Sequence, residues 1–586
     1  MEIRWSLNAL YPGLNSEEFQ NDKKRFNDNI GRLTEYSFSD NDDQVKAAEK
    51  FVTLLKRHYK LSLKMLAFLR LSVSVDAQNE PALKMSEILE KEMVKITKKM
   101  VEFQTWLSKT KDRKKLYQGS DLLKEHKFLI EEMVEKSEYL LSKNEEEIIA
   151  EMKQTGSSAW TKLQEKLTST LQVTIEVEGE TKELPLPVVR NLAYKKDPAI
   201  RKKAYQAELD SYKKIEKGVA AALNGIKGEV VTINQRRGYS SPLEEALINS
   251  RLNKETLQAL LEAIEDKLYI FRDFYKTKAK ILGHKNGLPF YDLFAPLGEI
   301  EMEFSYQEAR DFIISNIKEF SPDMADLYLT AFQNNWIDAE PREGKRGGAF
   351  CYNLHPIKES RILSNFTGSF SDVTTLAHEL GHAYHGHCLG NESILNSNYP
   401  MPLAETASIF SETIVTEAAL NKADKEQAYS ILENYITSAA QVIVDIYSRF
   451  LFEEELFEKR KSSSLSVKEL KTMVEKAQKK AYGDGLNHNY LHPYMWLNKP
   501  HYYSADNNYY NFPYAFGLLF GLGIYDLSKG IGDDFMSQYK DLLKATGKNK
   551  IEDVAKTFDI DISTKGFWLD SLEVIGNKID RFNQLV

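Results

Sequence analysis

The chemistry of this sequence centres on two histidines four positions apart with a glutamate between them, in Leu376-Ala377-His378-Glu379-Leu380-Gly381-His382-Ala383-Tyr384-His385. In a helix, positions i and i+4 lie on one face about one turn apart, so the imidazoles of His378 and His382 can converge on one ion. This is the H-E-x-x-H pattern, in which two imidazoles hold zinc at about 2.0–2.1 Å. Glu379 is turned by about 100° around the helix axis, so it flanks the ion and can take a proton from water there. Ser371 is expected to cap the helix, with Asp372 favourable to the dipole in its first turn.

A catalytic zinc takes three protein ligands and leaves one position open. His385 and His387 lie too near on the same helix to complete the set without distortion. Downstream, Pro402–Thr413 reads as a helix rich in small residues, with Glu405 and Glu412 on the same face. A carboxylate from this second helix would complete the set, and spacing alone does not choose between the two. Structural zinc commonly takes four ligands including thiolates, which Cys351 and Cys388 could supply to a non-catalytic scaffold. A scaffold of that kind would have no use for Glu379 as a base.

The elements that must position these groups are mainly helical. Asp43–Leu71 repeats apolar residues at three and four, through Val45, Phe51, Leu54, Leu55, Tyr59, Leu63, Leu66 and Leu69. Ala82–Leu107 does the same, and helices are expected again over Pro198–Leu282 and Tyr306–Trp336. Leu171–Val177 alternates and is β-branched, Glu178–Thr181 supplies a turn, and Lys182–Leu186 follows, so a hairpin is expected over 171–186. That change of pattern places a boundary near residue 190: an N-terminal helical domain over 1–190 and a catalytic domain over 191–586. Gly347 and Gly348 precede a strand-like Ala349–Leu354, and Arg361–Phe366 follows Pro356. A small sheet just before the histidine helix is expected.

Of 586 residues, 42% are hydrophobic and 28% charged, the profile of a globular chain rather than a disordered one. The net charge of −8 and the absence of a basic face argue against nucleic acid. No stretch reaches the ~18 apolar residues of a membrane span, the start lacks a signal-peptide pattern, and two cysteines cannot form a disulfide framework. A cytoplasmic protein is expected.

The motifs resemble those of the oligoendopeptidase F and thimet oligopeptidase family of zinc peptidases. Its hallmark helix is matched by His378-Glu379-Leu380-Gly381-His382-Ala383-Tyr384-His385, and its second helix by Glu405-Thr406-Ala407-Ser408 with Glu412. The resemblance implies one zinc ion per chain on His378, His382 and Glu405, with Glu379 as general base. Glu412 becomes the acceptor for a ligand imidazole. Gly347, Gly348 and Ala349 fall where the family's sheet edge takes substrate backbone. The run Pro500–Gly517 resembles its histidine- and tyrosine-rich loop, which implies His501 as an oxyanion donor, with Tyr510 or Tyr514 supplying the hydroxyl beside it, and Tyr503 and Tyr514 as substrate contacts. Phe512 stands where relatives often carry a tyrosine.

The fold this implies is mainly α, with two helical lobes around a deep substrate channel and a small β-sheet next to the zinc helix. The implied activity is cleavage of internal bonds in short unstructured oligopeptides. The alternative on the same scaffold is a peptidyl-dipeptidase, which would need a cation such as Arg342, Lys345 or Arg346 to hold the terminal carboxylate of its substrate.

Overall fold

A computed structural model describes residues 3–39, 43–177, 179–298 and 302–586, apart from the side chain of residue 533. The described chain is mainly helical, with one two-stranded and one three-stranded sheet. None of the described helices is long and apolar enough to cross a membrane.

Local chemistry accounts for the helix boundaries. The helix Gln44–Val75 starts where the Asp43 carboxylate accepts the backbone N–H groups of Val45 and Lys46. It buries Phe51, Leu55, Leu66 and Leu69, as the periodicity predicts, while Tyr59 is 43% exposed. The expected helix over Ala82–Leu107 is two, Glu80–Val94 and Thr97–Lys109. Tyr306–Trp336 is also two helices, Tyr306–Phe320 and Pro322–Gln333. Pro322 disfavours helical dihedrals at Ser321, whose side chain then caps the second helix.

The expected hairpin is present as β1 (Gln172–Val177) and β2 (Glu180–Pro185), paired antiparallel. Glu178, in the expected turn, lies outside the described residues. Gly179 takes φ +80°, a left-handed value that glycine adopts without steric cost.

The chain contacts group into two compact units, each assembled from three segments. One comprises Met1–Leu140, Met302–Asn421 and Leu527–Asp559. Its helical core includes Phe26, Phe51, Leu55, Phe103 and Leu107. It also holds the three-stranded sheet, in the order β3 (Ile337–Asp338), β5 (Glu359–Leu363), β4 (Phe350–Leu354). Here β4 and β5 run antiparallel and β3 and β5 parallel. The other unit comprises Leu141–Glu301, Lys422–Asp526 and Ile560–Val586, with a core that includes Val173, Val219, Leu223, Leu470 and Trp496.

Candidate active site

The histidine helix runs from Phe370 to Leu389. Its cap is Ser369, not Ser371, which lies within the first turn. The Ser369 hydroxyl accepts from Asp372 N–H, and Asp372 Oδ2 accepts in return from the backbone of Thr367, Gly368 and Ser369 at 2.8–3.1 Å. A serine and an acid three positions apart form a capping box, which pins the helix start.

About two and three turns further on, His378 and His382 project to the same side, with ring centroids 4.9 Å apart. Glu405 meets them from the bend between the short helix Met401–Ala404 and the helix Thr406–Lys422. Its Oε2 lies 3.2 Å from His378 Nε2 and 3.6 Å from His382 Nε2, and it accepts a bond from the Ser408 hydroxyl at 2.9 Å. One ligand atom from each of the three residues lies within 4.8 Å of the others. On the far side of the ring, His378 Nδ1 lies 3.0 Å from Glu412 Oε2.

Glycine permits this approach. A Cβ at Gly381 would collide with the Ala407 carbonyl and sit 2.6 Å from Ser408 Cα, so the two helices meet backbone to backbone there. A Cβ at Gly386 would likewise strike the Asn353 side chain. Asn353, on β4, donates to the His382 carbonyl at 3.2 Å and accepts from the Ser360 hydroxyl at 2.7 Å, tying the sheet to the helix. That strut carries no sequence motif. A polar residue central to a strand beside the site is its only trace in the sequence.

The electrostatics favour a cation between these side chains. Burial works to lower His378, but Glu405 and Glu412 overcome it and hold its imidazolium well above the usual range. His382 is pushed down to about 4 by burial and by the charge on His378. Burial opposes ionisation of Glu405, yet its contacts with His378 and His382 hold it below the ordinary carboxylate range. Two imidazoles and an ionised carboxylate brought to one point fit a divalent metal. Glu379 is 6% exposed, and its Oε2 is buried with no partner. Burial above all pushes its carboxyl up to about 7, with His378 lowering it and Glu405 raising it; the Cys351 backbone N–H also bonds to it.

The remaining histidines of this helix serve packing and the surface. His385 is fully buried, with Nε2 2.9 Å from the Thr546 hydroxyl and its ring stacked on Tyr399 at 4.1 Å. His387 is exposed. Gly347, Gly348 and Ala349 lie just before β4, and Gly348 takes φ +79°. Two of the expected cations are engaged nearby. Arg342 forms paired bonds to Asp338 at 2.7 and 2.9 Å, and Lys345 reaches the same carboxylate at 2.8 Å. Arg346 is exposed, with its guanidinium 5.6 Å from the Phe350 ring centroid.

In the other unit, His501, Tyr510 and Tyr514 form one aromatic cluster. His501 stacks on Tyr510 at 5.9 Å, and Tyr514 meets both rings edge-on at 6.2 and 5.8 Å. His501 Nδ1 is buried with no partner, and burial, then Arg449 and Lys499, press its pKa down. All three residues are half-buried, whereas Tyr502, Tyr503, Tyr509 and Phe512 around them are buried. Tyr503, expected among the substrate contacts, donates its hydroxyl to the Trp496 carbonyl at 3.1 Å and packs in the core.

Comparison with known proteins bears on both units. The profile of peptidase family M3 matches residues 191–574, and that of the Oligopeptidase F N-terminal region matches residues 109–172. An oligoendopeptidase F homologue of Lactococcus lactis subsp. lactis is 24% identical over 85% of this chain and 81% of its own length. The oligopeptidase PepF of Bacillus subtilis is 25% identical, over 79% of this chain and 69% of its own. The crystal structure of oligoendopeptidase-F from Enterococcus faecium superimposes with a TM-score of 0.73 at 18% identity, covering 97% of this chain and 99% of that one.

Proposed function

The chain belongs to peptidase family M3 and is a metallo-endopeptidase, and from that premise we propose that it hydrolyses internal bonds of short unstructured oligopeptides with one zinc ion held by His378, His382 and Glu405. The single observation that carries this reading is the convergence of those three ligand atoms within 4.8 Å, beside a buried carboxylate oxygen on Glu379 that has no other partner.

Bound there, zinc would supply a Lewis acid for the scissile carbonyl and make water nucleophilic near neutral pH. Glu379 takes the proton from the attacking water and passes it to the leaving amine, a transfer suited to a carboxyl raised toward neutrality. Glu412 orients His378 by accepting from its Nδ1, so that Nε2 is presented as a ligand. Asn353 fixes the backbone at His382. Gly347, Gly348 and Ala349 offer main-chain groups to an extended substrate, a mode tolerant of many side chains. His501 and Tyr510 donate to the oxyanion, and Tyr514 contacts substrate. What supports this is that these residues are the half-buried members of their aromatic cluster and that His501 Nδ1 has no partner.

Of the three cations that a dipeptidase reading could use, Arg342 and Lys345 are engaged by Asp338 and Arg346 lies over the Phe350 ring, which favours endopeptidase action over release of C-terminal dipeptides. The test is a peptide blocked at both ends, with donor and quencher flanking its interior. Release of internal fragments that stops with a chelator and returns with zinc is expected. Turnover unaffected by chelation, or of free C-termini only, would overturn the proposal.

A further inference from the structure

A cavity of about 260 Å³ lies within the unit formed by Leu141–Glu301, Lys422–Asp526 and Ile560–Val586, and none of the metal-site residues lines it. It is smaller than the ~300–1,000 Å³ of drug-sized pockets, so its ligand is small. Most charges on its walls are already paired. Glu208 accepts from the Tyr212 hydroxyl at 2.7 Å and lies 3.3 Å from Arg190 Nε and 3.4 Å from His492 Nε2. Arg201 donates to Asp292 at 2.7 Å, and Asp445 pairs with Arg449.

Two wall groups are left over. Among the described residues, the Lys499 ammonium has neither an ion pair nor a side-chain hydrogen bond. Burial, followed by the charge of Arg449, presses its pKa down to about 8 against the opposing pull of Asp445 and Glu208. His492 is 2% exposed, and its Nδ1 is buried with no partner. Its Nε2 is turned to the Glu208 carboxylate, so Nδ1 is the ring nitrogen left to meet a ligand.

An unpaired ammonium calls for an anion, and an unpartnered imidazole nitrogen calls for a polar group. Phe290, packed on His492 at 4.9 Å, and Phe294 add an aromatic wall. We propose that this cavity binds an N-acylated amino acid, with its carboxylate on Lys499, its amide group on His492 Nδ1 and an apolar side chain against Phe290 and Phe294. None of the proposed metal ligands takes part in this binding.

The test titrates N-acetylphenylalanine, its amide and inorganic phosphate into the full-length, metal-loaded chain by calorimetry, and again after chelation. The acid is expected to bind at least tenfold more tightly than the amide, with or without metal. Lys499→Met is expected to lower acid affinity at least tenfold and leave amide affinity unchanged. Equal affinity for acid and amide, an unaltered affinity in Lys499→Met, loss of binding on chelation, or binding of phosphate alone would each overturn the proposal. If Lys499→Met does not fold, the acid-to-amide ratio on the unaltered chain decides.

Discussion

His378 Nδ1 and Glu412 Oε2 lie 3.0 Å apart, on the side of the imidazole opposite the one that faces Glu405. The ring is therefore held from both sides, and only Nε2 is available to a metal. Loss of such an outer acceptor typically costs about 10–100-fold in metal affinity, so Glu412→Ala should weaken zinc by that amount. Glu405→Ala, which removes a ligand, should weaken it further. Competition titration with a chromophoric chelator orders the two. Stronger loss in Glu412→Ala would reverse their roles.

Gly381 sets how closely the two metal-site helices approach. A methyl group there meets Ser408 Cα at 2.6 Å and must push Glu405 away from the histidines. Gly381→Ala should cost about 1–3 kcal/mol by overpacking and lower zinc affinity at least tenfold. A variant with unaltered melting temperature and metal affinity would show that the helices have room to part.

The aromatic cluster in the second unit makes a separable prediction. If His501 donates to the oxyanion, His501→Ala should slow single-turnover cleavage by about 100–1000-fold while zinc content and substrate binding change little. If His501 only packs on Tyr510, the variant should melt lower and react at a near-normal rate. Melting temperature and single-turnover rate of this one variant decide.

Asp338 couples the sheet to the loop before β4 through Arg342 and the fully buried side chain of Lys345. Burial alone would raise its carboxyl, but these two cations hold it below the usual range. Its contribution is therefore present above its unfolded pKa, near ~4, and lost as pH falls through the lower folded value. Asp338→Asn leaves Lys345 buried without its counter-ion and should cost about 3–5 kcal/mol at pH 7. The gap between variant and parent in denaturant melts should shrink as pH drops toward 3. A pH-independent gap would locate the effect in packing.

The candidate metal site was legible because helical geometry forces residues four apart onto one face, which makes His378 and His382 a pair from spacing alone. Glu405 and Glu412 share a face for the same reason, and spacing could not rank them; the resemblance chose Glu405, which the structure brings to both imidazoles. The cap at Ser369 was missed because Ser371 and Asp372 also suit a helix start, while a capping box needs its serine three before the acid. β3 is two residues long, buried and parallel, and so lacks the alternation that marks a strand. Hydrophobic periodicity locates a helix but does not tell which distant helix it packs on. The interleaving of three segments into each unit accordingly left no local signature.

The central claim is that Glu379 moves the proton while His378, His382 and Glu405 hold the metal. Glu379→Gln keeps the volume and polarity of the side chain and removes its ability to accept a proton. Zinc content by elemental analysis and cleavage of an end-blocked fluorogenic peptide, measured on the same preparation, test it directly. One zinc per chain with cleavage reduced by several orders of magnitude is the predicted result. Cleavage near the parent rate in zinc-loaded Glu379→Gln would contradict it.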